Sequence, residues 1–214
     1  MSLRICGLDL SINSSGVVIF ELDNKGEITH SQYFGFSSVK KNCNDKIIHY
    51  RLKDFANEYQ KFNFTASYIY KWCKDCDYIA VEDYSFGSSQ SRVFNIAENG
   101  GIIKYSLLKA GAKMRLYSPN SVKKHFSGYG LSDKVSMYNA FKAHQGEKFD
   151  ISDLPIVNNG RGVSPTSDVI DAFAICDMLR TELKIRGGLL KLEELNKARH
   201  ESLKVYMQTE FCYI

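Results

Sequence analysis

Apolar residues run almost without a break from Arg4 to Leu10 and reach an acid, Asp9, near their end, which predicts a short buried strand. Ser11 to Ser15 is polar and turn-forming, and Gly16 to Leu22 is apolar again, a second strand. Asp23-Asn24-Lys25-Gly26 is a tight hairpin signal, and Glu27 to Phe34 alternates polar and apolar positions, a third strand with one wet face. The chain therefore opens as an antiparallel meander. Gly35 to Asn44 reads as a loop. From Asp45 to Lys74 the spacing turns helical: Ile47, Ile48, Leu52 and Phe55 share a face, as do Ile69 and Trp72, with a candidate break at Lys61 to Thr65.

Tyr78 to Glu82 is a second buried strand that ends in an acid. Phe86 to Arg92 reads as a loop and Arg92 to Ala110 as a helix, in which Gly100-Gly101 marks either a kink or a close approach. Lys113 to Tyr117 is a fifth strand. Ser118-Pro119-Asn120 begins a short helix, and Ser132 opens another through Val135, Tyr138 and Phe141. Gly146 to Thr166 is a long loop, a length that loops of functional segments commonly have. Ser167 caps a strongly apolar helix, Asp168 to Lys184, which Gly187-Gly188 ends; Leu189 to Ile214 reads as one further amphipathic helix and a tail. This order predicts an α/β domain: a five-stranded mixed sheet, the meander plus two parallel strands, flanked by helices.

Composition narrows the classes. Of 214 residues, 44% are apolar, 13% aromatic and 3 are proline, which argues against disorder. No apolar run reaches the roughly 20 residues that cross a membrane, and the N-terminus lacks a secretory pattern, so an intracellular, cytoplasmic protein of a bacterial or phage-infected cell is expected. The 6 cysteines form no framework; Cys73-x-x-Cys76 lacks a matching second pair, so free thiols are the plainer reading than zinc or redox chemistry. Lys and Arg outnumber Asp and Glu by 28 to 24, with clusters at Lys40-Lys41, at Lys123-Lys124-His125 and from Lys184 to Lys204, an arrangement suited to a polyanion.

Four acids stand where acids are costly. Asp9 and Glu82 end strands with buried sequences, and Asp168 and Asp171 sit three apart on an apolar helix, hence on one face of it. Singly each has a bland reading: the helix pair favours the helix dipole, and the strand-end acids suit turns or solvent. Together they lack a Lys or Arg nearby in sequence, so a cation is expected to gather them. All-oxygen ligands favour Mg²⁺ or Mn²⁺ over Zn²⁺, and carboxylates around two hard cations serve in-line attack on a phosphodiester.

Ile5-Cys6-Gly7-Leu8-Asp9-Leu10-Ser11, Tyr78-Ile79-Ala80-Val81-Glu82 and Ser167-Asp168-Val169-Ile170-Asp171-Ala172-Phe173-Ala174 resemble, in order and rough spacing, the three acidic motifs of the RuvC Holliday junction resolvases. Ala97-Glu98-Asn99-Gly100-Gly101 and Lys113 to Lys134 extend the likeness, which spans roughly residues 3–185. The resemblance implies the RNase H-like fold and a homodimer that nicks opposite strands of a four-way DNA junction with two Mg²⁺ per active site, Mn²⁺ substituting. It implies Asp9, Glu82, Asp168 and Asp171 as catalytic metal ligands. It implies Phe86 as the loop aromatic that stacks on a junction base and Lys134 as a DNA-facing lysine; Arg92, Lys123 and Lys124 are expected as further DNA contacts. Residues 1–186 would form the nuclease domain and 187–214 a helical extension of that same domain. The chain departs from the family with Leu10-Ser11 in place of Pro-Gly, with a differently arranged Gly35 to Lys74 segment, with the tail beyond 186, and with the aromatic one place later. Those departures bear on substrate choice and leave a fork or flap nuclease as an alternative. Two other readings compete: an actin- or hexokinase-type ATPase, which ATP turnover without DNA would favour, and a non-catalytic junction-binding protein, which metal-independent binding without cleavage would favour.

Overall fold

The computed structural model describes residues 2–84, 90–144, 149–155 and 163–211, with the backbone alone at 90–92. Three strands form the meander: β1 (Leu3–Asp9), β2 (Gly16–Leu22) and β3 (Ile28–Ser37). A short strand β4 (Ile47–His49) follows, then helix α1 (Glu58–Cys73), β5 (Tyr78–Glu82), α2 (Gln90–Lys109) and β6 (Lys113–Tyr117). Helices α3 (Pro119–Ser127), α4 (Lys134–Ala143), α5 (Thr166–Arg186) and α6 (Lys197–Met207) follow. Among the described residues the sheet has six strands in the order β4-β3-β2-β1-β5-β6; β1 pairs antiparallel with β2 and parallel with β5, which pairs parallel with β6.

The sixth strand is the main difference from the sequence reading. Ile47 and Ile48 pair in parallel with Gly35 and Phe36 at the sheet edge instead of lying on a helix. The Asn44 side chain accepts from the backbone N–H groups of Lys46 and Ile47 and sets the turn that brings them there. The helix begins only at Glu58, where the Asn57 side chain accepts from the Gln60 N–H, and it runs through Lys61 to Thr65 without a break. Two other starts also shift. Asp133, not Ser132, caps α4, and α5 begins at Thr166 behind Pro165, with no side-chain cap. Helix α2 is continuous through Gly100-Gly101. Gly100 takes the close approach, since a Cβ there would stand 3.1 Å from the Tyr84 hydroxyl, while Gly101 faces open space.

Strand alternation divides the core in two. Ile5, Val18, Phe20 and Ala80 face one layer, with Phe126, Phe141 and the whole inner side of α5; Cys6, Leu8, Ile19 and Val81 face the other, with Ile69 of α1 and Leu107 of α2. Cys73 and Cys76 are buried free thiols in this second layer, and the Cys6 Sγ lies 3.5 Å from that of Cys73. No described helix is long and apolar enough to cross a membrane.

Candidate active site

Parallel pairing of β1 with β5 brings two acids side by side. Leu8 is in register with Val81, so Asp9 and Glu82 follow at the carboxyl ends of neighbouring central strands. Alternation places Asp9 on the face of Ile5 and Gly7, and Glu82 on the face of Ala80, which is the face that α5 covers. Two glycines let α5 come so near. A Cβ at Gly7 would lie 2.3 Å from the Ala172 carbonyl oxygen, and one at Gly16 would lie 2.1 Å from that of Asp168. The start of α5, with Asp168 in its first turn and Asp171 in its second, is thereby set against the ends of β1 and β2. Gly16→Ala should cost about 1–3 kcal/mol, the usual range for overpacking, because the obstacle is backbone that cannot rotate away. Urea unfolding measures this; an unchanged midpoint would show that the contact is not tight.

The four acids line one cleft of about 320 Å³, together with Lys104, Lys123 and Lys134. Burial pushes the Asp9 carboxyl well above the ordinary carboxylate range, and Asp171 and Glu82 push it further. Burial, then Asp171, pushes Glu82 up to about 7. Burial also raises Asp168, against the hydrogen bond that the Ser164 hydroxyl donates to its Oδ2 at 2.5 Å. The cluster thus repels itself, and the charge that answers it in the structure is an ammonium. Lys134, at the start of α4, is ion-paired with Asp171. Burial works against that lysine's charge, but Asp171 first and then Asp9 outweigh it and hold its pKa raised. No Lys or Arg lies nearby in sequence, and the partner comes from another helix, 37 positions away.

Among the described residues, no three Asp, Glu, His or Cys side chains are gathered closely enough to hold a metal ion as they are placed. The donor set nevertheless suits a hard divalent cation: four carboxylates converge on one cleft, and cationic charge already relieves their repulsion. Of the expected DNA contacts, Lys123 and Lys134 line the cleft. Lys124 is turned to α6, where its Nζ meets Glu201 Oε2 at 2.5 Å. Phe86 and the Arg92 side chain lie outside the described residues. Tyr84 and Lys104 are among the cleft residues that escaped the sequence reading. The signal for Lys104 was its place four residues after Gly100, on the same side of a helix whose glycine marks the close approach.

No family model matches the chain. In sequence it is 24% identical over 176 residues to the crossover junction endodeoxyribonuclease RuvC of Caldicellulosiruptor saccharolyticus, across 81% of this chain and 89% of that protein. In structure it is similar to Thermus thermophilus RuvC, with a TM-score of 0.57 and 16% identity over 87% of this chain and 98% of the other. It is also similar to T. thermophilus RuvC in complex with its Holliday junction substrate, with a TM-score of 0.51 and 15% identity over 81% and 90% of the two chains. Along four fifths of its length the chain is thus similar in sequence to one RuvC, and it shares the fold of another.

Proposed function

We propose that the chain is a structure-specific DNA endonuclease that resolves four-way junctions by paired, symmetric nicks through divalent-metal-dependent hydrolysis of phosphodiesters. One observation carries the reading: four carboxylates from β1, β5 and α5 converge in a single cleft that lysines flank, on a fold similar to that of a RuvC solved with a Holliday junction. Asp9, Glu82, Asp168 and Asp171 would hold Mg²⁺, or Mn²⁺ in its place, as a two-ion site. When bound, the cations supply the charge that stabilises the attacking and leaving oxygens. Ser164 fixes the carboxylate of Asp168. Lys123 and Lys134 bring positive charge to the strand that lies over the acids. Phe86 would stack on a junction base, as the resemblance implies, and Arg92 would contact the DNA.

Paired nicks need two clefts related by a two-fold axis, hence a homodimer. The outer side of α2 supports this: Phe94 and Tyr105 are exposed on it, and Gly101 meets nothing within 4 Å. The test incubates purified protein with a synthetic four-way junction, a fork, a flap and linear duplex, with and without Mg²⁺. Symmetric nicks in the junction alone, only with the metal, are the expected result. Preferential cutting of forks or flaps would overturn the junction assignment, and ATP turnover without DNA would overturn the nuclease assignment.

A further inference from the structure

Lys104 differs from the other lysines of the cleft in where it comes from and in what holds it. Lys123 and Lys134 belong to α3 and α4, in the layer that covers the α5 side of the sheet. Lys104 belongs to α2, whose Ile103 and Leu107 pack in the opposite layer. All three nonetheless line the same cleft. The acids therefore sit in a trough with cations on both banks.

Lys134 is committed to Asp171, but Lys104 has no carboxylate within ion-pairing distance among the described residues. It lies instead over the ring of Tyr84, with Nζ 4.1 Å from the centroid. The ring is itself fixed. Its hydroxyl donates to the Ala97 carbonyl at 3.3 Å, and the absence of a side chain at Gly100 gives it room. An aromatic face holds an ammonium by its quadrupole without neutralising it, so the charge stays available to an anion and its long stem is already partly ordered.

We infer that Lys104, positioned by Tyr84, is a phosphate contact for the cleaved strand on the bank opposite Lys123 and Lys134, so that the strand is clamped across the acids from both layers of the fold. This rests on the nuclease reading and deepens it. Lysine suits the task as a point charge, which accepts any backbone phosphate without reading sequence. Tyr84 is a positioning residue: it acts through Lys104.

The experiment measures equilibrium binding of the full chain to a four-way junction over a range of salt concentrations without divalent ions, and then cleavage with Mg²⁺. For Lys104→Gln the slope of log affinity against log salt should fall in magnitude by about 0.9, the share of one phosphate contact. Affinity at low salt should weaken by about fivefold, with KM rising more than kcat falls. Lys104→Arg should restore both slope and affinity. Tyr84→Phe, which keeps the ring, should keep the slope, and Tyr84→Leu should lower it part of the way. An unchanged slope for a folded Lys104→Gln protein, or failure of Lys104→Arg to restore it, would overturn the inference while leaving the nuclease reading intact. Wild-type protein that neither binds nor cuts the junction would bring down the nuclease reading itself. The lysine variants decide the matter even if Tyr84→Leu does not fold, since Lys104 is half-buried and its ammonium is bonded to no backbone group among the described residues.

Discussion

Asp9→Asn is expected to bind junction DNA as the wild type does and to cut it at no more than about a thousandth of the wild-type rate, as removal of a central catalytic group commonly does. Glu82→Gln and Asp168→Asn should behave alike. Each change keeps shape and removes one negative charge from a group that would hold the cations. Binding should survive, because on the proposed reading it draws on the lysines that line the cleft and not on the acids. A second readout separates a metal ligand from a merely structural acid. Burial and its acidic neighbours raise the Asp9 carboxyl, so its ionised form destabilises the fold at neutral pH; a raised carboxylate pKa means stability lost, not gained, above the unfolded value. Asp9→Asn should therefore melt somewhat higher than the wild type without divalent ions. Adding Mg²⁺ should raise the wild-type midpoint by mass action and leave that of Asp9→Asn nearly unmoved. Near-normal cleavage by the variant, or an equal response of both proteins to Mg²⁺, would remove Asp9 from the site.

The acids were legible because they break a local rule. Asp9 and Glu82 end apolar strand sequences, and Asp168 and Asp171 flank Val169-Ile170 and precede the short apolar run Ala172 to Ile175. The meander and the central parallel strands were legible for the converse reason, since long apolar runs admit few other structures. What escaped depends on pairing across distance. Ile47-Ile48 has no signature of its own; it becomes a strand because Gly35 and Phe36 offer an open sheet edge. Lys134 is 37 positions from Asp171 in sequence and forms an ion pair with it in the fold. Gly7 and Gly16 read as ordinary strand residues until the backbone of α5 is seen against them. The chemistry of the cleft was thus written in the sequence one residue at a time, while the cation partners were set by which helices the sheet brings together.

Glu182→Ala should be the most destabilising of these substitutions, by about 3–5 kcal/mol, because it strands a buried guanidinium. Glu182 and Arg115 are fully buried, with relative exposures of 0% and 1%. The guanidinium meets the carboxylate twice, Nη2 to Oε1 at 3.0 Å and Nε to Oε2 at 3.2 Å. The carboxylate also accepts from the Tyr117 hydroxyl at 2.6 Å and from Arg186 Nε at 2.9 Å, so most of its acceptor sites are filled. Arg115 reaches onward to the carbonyls of Tyr206 and Glu210, each at 2.8 Å. One network therefore ties β6 and α5 to the last turn of α6 and the segment after it. Loss of the acid removes the carboxylate that the guanidinium meets twice, which at this chain length lowers the melting midpoint by about 10 °C. Replacing both partners, Arg115→Met with Glu182→Leu, should cost less than Glu182→Ala alone, since an apolar pair avoids the stranded charge. Glu182 lies eleven residues beyond Asp171, about 16 Å along the helix, so the acids keep their places in any fraction that stays folded. Metal-dependent cleavage per folded molecule should then be nearly unchanged well below the midpoint. Urea unfolding of the single and double variants provides the measure: a cost under about 1 kcal/mol for Glu182→Ala would mean that water reaches Arg115 and that the C-terminal segment is not held by this pair.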